Sequence, residues 1–125
     1  MYTFYFEKLD VWQNGRKFVN DIYTVTDTFP VKEQFGITSQ IRRASLSITA
    51  NISEGFSRQS NKEKSRFINM AYSSSWEIIN FLILSKDLKF INENQYIKLR
   101  SDIEYISNQL NSLYKKLTKD ENTQN

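Results

Sequence analysis

The sequence predicts an all-α fold, an antiparallel up-down-up-down four-helix bundle. Three observations carry that prediction. Tyr96, Leu99, Ile103, Ile106, Leu110, Leu113 and Leu117 alternate steps of three and four without a break, which marks one apolar helix face. Three glycines and one proline in 125 residues leave little material for the turns of a β fold. The periodic stretches are long and the connections between them short, which sets successive helices antiparallel. One domain of this size buries about two thirds of its unfolded surface, enough for a real core.

The first helix is expected over about residues 8–28. Leu9, Trp12, Val19, Ile22, Thr26 and Phe29 mark its inward face, with Gly15 as a gap, and Pro30 ends it. The second is expected over about 33–56, with Gly36 blurring its start. It sorts into three stripes. Ile37, Ile41, Ala44, Ile48, Ile52 and Gly55 are apolar or small. Arg43, Ser47, Asn51, Glu54 and Arg58 are polar. Arg42, Leu46, Thr49, Ser53 and Phe56 are mixed. Ser60 to Glu63 matches a capping box that opens a third helix over about 61–89. Its first stripe is Phe67, Ala71, Ser74, Ile78, Phe81, Ser85 and Leu88. A second holds Ile68, Tyr72, Ser75, Ile79 and Leu82, so burial on more than one side is expected. Asn92 to Gln95 offers another cap, with Ile91 as a hydrophobic staple, and starts the fourth helix over about 93–117. Residues 118–125 form a polar tail expected to fray.

The chain has no cysteine and no histidine. Thiolate nucleophiles, thiolate metal sites, imidazole bases and imidazole ligands are therefore excluded, and the di-iron pattern of helical bundles cannot be met. No catalytic residue, metal or cofactor is expected, and the chain reads as a non-enzyme. Glu54 and Glu77 are the two acids within apolar or small-residue stretches. Their simplest role is structural: Glu54 pairing with Arg58 one turn on, or with Arg42 or Arg43 of a neighbour, and Glu77 pairing with an arginine across the bundle. Asn51 reads as a register-setting hydrogen-bonding residue, and Trp12 and Trp76 as packing anchors. The start, MYTFYFEKLD, lacks the pattern of a signal peptide. The longest apolar run, Ile78 to Leu84, is far short of the roughly 20 residues of a membrane helix. A cytoplasmic protein without membrane contact is expected.

Positive charge is concentrated centrally. Residues 40–66 carry Arg42, Arg43, Arg58, Lys62, Lys64 and Arg66 against Glu54 and Glu63. Residues 67–125 hold seven charges of each sign, and residues 1–39 hold four basic against five acidic. The six cations are the candidate nucleic-acid contacts, with arginine offering a bidentate fork and lysine a point charge. A solvated face with intersubunit salt bridges is the plainer alternative.

The residues also resemble a family. Leu9–Trp12 (L-x-V-W) and Phe29–Glu33 (F-P-x-x-E) lead into S-Q-I-R-R-A at Ser39–Ala44. Next come S-I-x-x-N-I-x-E-G at Ser47–Gly55, R-x-S at Arg58–Ser60 and R-F-x-x-x-A at Arg66–Ala71. In order and spacing these are similar to the bacterial four-helix-bundle proteins of the 23S rRNA intervening-sequence type, which are related in fold to the accessory variability determinant of diversity-generating retroelements. One departure is Ser73-Ser74, where the family usually carries Gly-Ser. The resemblance implies assembly into a homopentameric ring. For the retroelement relatives it implies a basic surface that engages RNA or DNA and a reverse transcriptase. It implies no established biochemical activity.

Assembly is also expected from the stripes themselves. Leu46 and Phe56 on the second helix, and Ile68, Tyr72, Ile79 and Leu82 on the third, lie off the inward faces and are the candidate oligomer interface. A ring of five would multiply the central charge to about +20, and counterion release grows with each phosphate met. Two classes of function follow: a homo-oligomeric protein that binds nucleic acid without sequence preference, or a scaffold that recruits a protein partner and touches no nucleic acid.

Overall fold

The computed structural model describes residues 1–123, with side chains through residue 119. Four helices make the bundle: α1 (Asp10–Thr26), α2 (Ile37–Gly55), α3 (Asn61–Asp87) and α4 (Glu93–Thr123). Short 3-10 turns at Tyr5–Lys8 and Val31–Glu33 precede α1 and α2. Each helix packs on those before and after it, and α4 closes the square against α1. No helix of the described residues is long and apolar enough to cross a membrane.

The ends follow from local chemistry. Pro30 stops α1, and a 3-10 turn occupies residues 31–33, so α2 starts four residues later than expected. Ser60 Oγ accepts from the Glu63 amide at 3.1 Å and opens α3. The Glu63 carboxylate turns away from the cap and meets Arg66 Nε at 3.2 Å. Before α4 the exchange is complete. Asn92 Oδ1 accepts from the Gln95 amide at 2.8 Å, and Gln95 Oε1 accepts from the Asn92 amide at 2.9 Å. Helix α3 closes in a Schellman turn: Lys89 takes the left-handed conformation at φ 64° and the Phe90 amide bonds back to the Ser85 carbonyl. Helix α4 does not fray at Thr118 and continues through Thr123. Residues 124–125 of the expected tail lie outside the described residues.

The α4 stripe is buried as its spacing requires: Leu99, Ile103, Ile106, Leu110 and Leu117 are core, and Leu113 packs against it. On α1 the buried stripe is Val11, Gly15, Phe18, Ile22 and Thr26, rotated from the expected one. Leu9, Trp12 and Val19 are half-buried on its edge.

Two of the candidate interface residues are corrected by the fold. Ile68 and Leu82 are 0% and 1% exposed, deep in the subunit's own core. The reason is geometric. Helix α3 sits between α2 and α4, two neighbours at a corner of the square, so its buried arc spans both stripes. The α3 surface left over is its back, where Met70, Trp76, Ile83, Leu84 and Leu88 are exposed.

Candidate nucleic-acid interface

The α2–α3 corner is built by close helix approach. A Cβ on Gly55 would lie 2.9 Å from Phe67 Cβ and 3.4 Å from the Lys64 carbonyl oxygen, so only glycine lets α2 run this close to the start of α3. One helix turn pair earlier, Asn51 Nδ2 donates to the Ser47 carbonyl at 2.8 Å and to Ser47 Oγ at 3.0 Å, and Ser74 Oγ bonds Ser47 Oγ at 2.9 Å. The Ser74–Ser47 bond thus ties α3 to α2, and Asn51 braces Ser47 from one turn along α2. Ser73, at the departure from the family pattern, is exposed and its hydroxyl meets solvent.

Four of the six candidate cations decorate this corner. Arg58 pairs with Glu54 at 3.3 Å and Arg66 with Glu63 at 3.2 Å. Both guanidinium carbons also approach the Phe67 ring, at 4.9 and 5.1 Å from its centroid. Lys64 Nζ donates to the Gln59 carbonyl at 3.3 Å. Neither Lys62 nor Lys64 forms an ion pair among the described residues. The corner therefore presents four cations against two carboxylates, with two ammonium groups uncommitted to any acid.

The other two cations are elsewhere, which corrects the single six-residue cluster. Arg43 lies twelve helical residues before the end of α2 at Gly55, about 18 Å of axis, so Arg42 and Arg43 lie in the opposite half of the bundle. Arg42 is committed there. Its Nε donates to Thr26 Oγ1 at 2.7 Å, Nη2 pairs with Asp27 at 3.0 Å, and the guanidinium lies 4.5 Å from the Tyr23 ring centroid. Its role is to pin α2 to the end of α1.

Antiparallel topology brings a group that sequence proximity could not show. The α4 segment with Lys115, Lys116 and Lys119 ends at the same end of the bundle as the α2–α3 corner. Charge counted along the chain hides this, because some fifty residues intervene; counting charge by bundle end would have found it.

A model of the family described as 23S rRNA-intervening sequence protein matches residues 7–112. The chain belongs to this family. No curated protein matches. Among solved structures, the chain is similar to a protein of unknown function from the S23 ribosomal protein family of Bacteroides thetaiotaomicron VPI-5482. The identity is 30% with a TM-score of 0.77, and the match covers 84% of this chain and 98% of that one.

For this family member, the remaining candidate residues are placed as follows. Glu54 is in the ion pair with Arg58. Glu77 is exposed and makes no ion pair among the described residues. Leu46 is exposed, while Phe56, Tyr72 and Ile79 are half-buried. Trp12 packs edge-on against Phe6 at 5.1 Å. Trp76 is not a core anchor: it is 61% exposed, touched by Tyr72 at 6.0 Å between rings. Because Ser47 bonds Ser74, Leu46 on α2 and Trp76 on α3 lie at nearly the same level of the bundle.

Proposed function

We propose that this chain is a non-enzymatic, cytoplasmic subunit of a homo-oligomer, five copies by family resemblance, that holds nucleic acid through its α2–α3 corners. The observation that carries the reading is the corner itself, where Lys62 and Lys64 stand free of carboxylate partners beside Arg58 and Arg66. Phosphate contacts from such side chains carry no base information, so binding is insensitive to sequence. One subunit offers few contacts. A ring repeats them, and affinity then falls steeply with salt.

Assembly is supported by the apolar back of α3. Trp76, Ile83, Leu84 and Leu88 are exposed there, and apolar side chains gathered on one exposed face mark an interaction surface. The same surface is the observation behind the second reading, in which this band takes a protein partner and no nucleic acid is bound.

Light scattering and fluorescence anisotropy separate the readings. The wild type is expected to be oligomeric. Leu46→Asp with Trp76→Asp is expected to yield folded monomers, since unpaired charge is costly in an apolar contact and both side chains lie outside the core. A labelled oligonucleotide is expected to bind the wild type and to bind Lys62→Ala with Lys64→Ala more weakly. A monomeric wild type at high concentration refutes the ring; binding indifferent to the lysines refutes the corner. Stoichiometric metal in protein purified without added metal would overturn the reading that the chain carries neither metal nor catalysis.

A further inference from the structure

Tyr2, Phe4 and Tyr5 are aromatics that the core does not use. The 3-10 turn Tyr5–Lys8 folds this arm back toward the α2–α3 corner. The Phe4 amide donates to the Glu7 carboxylate at 2.7 Å, Gln13 Nε2 donates to the Glu7 carbonyl at 2.8 Å, and Phe6 packs on Trp12. The arm is thereby fixed in place, yet Tyr5 remains 62% exposed. Its ring lies 5.4 Å from that of Phe56, the residue that ends α2. Between arm and helix runs a groove of about 340 Å³ walled by Phe4 and Tyr5 on one side and by Ser53, Phe56 and Ser57 on the other. Glu54 also borders it, with its carboxylate held by Arg58. The aromatic groove and the cationic corner are thus continuous, joined through the Glu54–Arg58 pair and the Phe56–Arg58 run of chain.

We infer that the arm beside this groove is a stacking platform, and that the corner's ligand is single-stranded nucleic acid whose base stacks on the exposed face of Tyr5, backed by Phe56, while its phosphates meet Arg58, Lys62 and Lys64. The inference rests on the nucleic-acid reading above and narrows it. Charge selects the occupant. A protein segment of apolar side chains would fill the groove but leave the neighbouring ammonium groups without partners, whereas an unpaired nucleotide offers a planar π face and an anion together. A duplex keeps its bases stacked on one another, so it reaches the cations and cannot use the rings.

The test uses the whole chain and one unstructured labelled oligonucleotide, alone and annealed to its complement. Anisotropy is expected to show tighter binding of the single strand. Tyr5→Ala is expected to weaken single-strand binding by about tenfold or more, leaving duplex binding and the salt slope unchanged, since no charge is removed. Tyr5→Phe keeps a ring in place and is expected to behave as wild type. Equal affinity for both forms, indifferent to Tyr5→Ala, overturns the platform and leaves the cationic corner standing. No binding of either form overturns both. Dissociation of the oligomer by Tyr5→Ala, seen by light scattering, overturns the platform by making the arm a subunit contact.

Discussion

Two seams of the bundle are built on opposite terms. Between α2 and α3 the helices come close: Gly55 abuts Phe67, Ala44 and Ala71 are buried, and Ser74 bonds Ser47 across the contact while Asn51 holds Ser47 from within α2. Between α1 and α4 the helices stand further apart. Clefts open there, one of about 250 Å³ lined by residues including Asn14, Asp21, Asp102 and Tyr105. The bridging contacts are long polar side chains: Asn14 to Gln109 at 2.9 Å, and Lys98 to Asp21 at 3.9 Å. Small residues allow a close, specific seam; polar side chains bridge an open one. The cationic corner sits at the end of the specific seam, where a displacement of either helix would move Arg58 relative to Lys62.

Four substitutions probe the contrast, read by denaturant unfolding at fixed protein concentration. The core that both seams share sets the upper bound. Leu110→Ala truncates a fully buried side chain and is expected to lose about 2 to 5 kcal/mol. An unchanged midpoint would refute the register of α4. At the tight seam, Gly55→Ala forces Cβ into Phe67 Cβ and a backbone carbonyl, neither of which yields easily, and is expected to lose about 1 to 3 kcal/mol. A neutral result would show that α2 and α3 are less closely apposed. Asn51→Ala removes the donor to Ser47 and is expected to lose about 1 to 2 kcal/mol; a stabilised variant would show that the polar bridge is dispensable.

The open seam yields the smallest effect. Lys98→Ala breaks exposed pairs with Asp102 and Asp21 and is expected to change stability by less than about 0.5 kcal/mol. The hydrogen bond to Asp102, with the charge of that carboxylate, raises the Lys98 amine above its ordinary value. Its small contribution is therefore complete below the ordinary lysine range and fades as pH climbs through the raised value. A large loss at neutral pH would mean that α1 and α4 are held as specifically as α2 and α3.

The same contrast explains what could be read from the residues. Helix α4 was legible because one face carries the whole stripe from Tyr96 to Leu117 and no polar bridge interrupts it. The buried stripe of α1 is rotated from the one its spacing predicts: Leu9 and Trp12 pack on the edge of the core, Trp12 also under Phe6 of the N-terminal arm, and no periodicity announces that a start folds back. Ile68 and Leu82 were taken for surface because the two stripes of α3 were weighed against one partner helix, when a corner helix has two. The cationic site was half legible. Arg58, Lys62, Lys64 and Arg66 adjoin one another across a short turn, so closeness in sequence is closeness in space. Arg42 and Arg43 belong to the same charged stretch of sequence but lie along a rigid helix that carries them away.

The central claim is that the α2–α3 corner meets phosphate. Its most direct test is the salt dependence of oligonucleotide binding for the wild type and for Lys62→Ala with Lys64→Ala. The account predicts that the logarithm of the affinity falls linearly with the logarithm of salt concentration, and that the double variant binds more weakly with a shallower slope. A slope identical in the two proteins, or no binding at low salt, would contradict it.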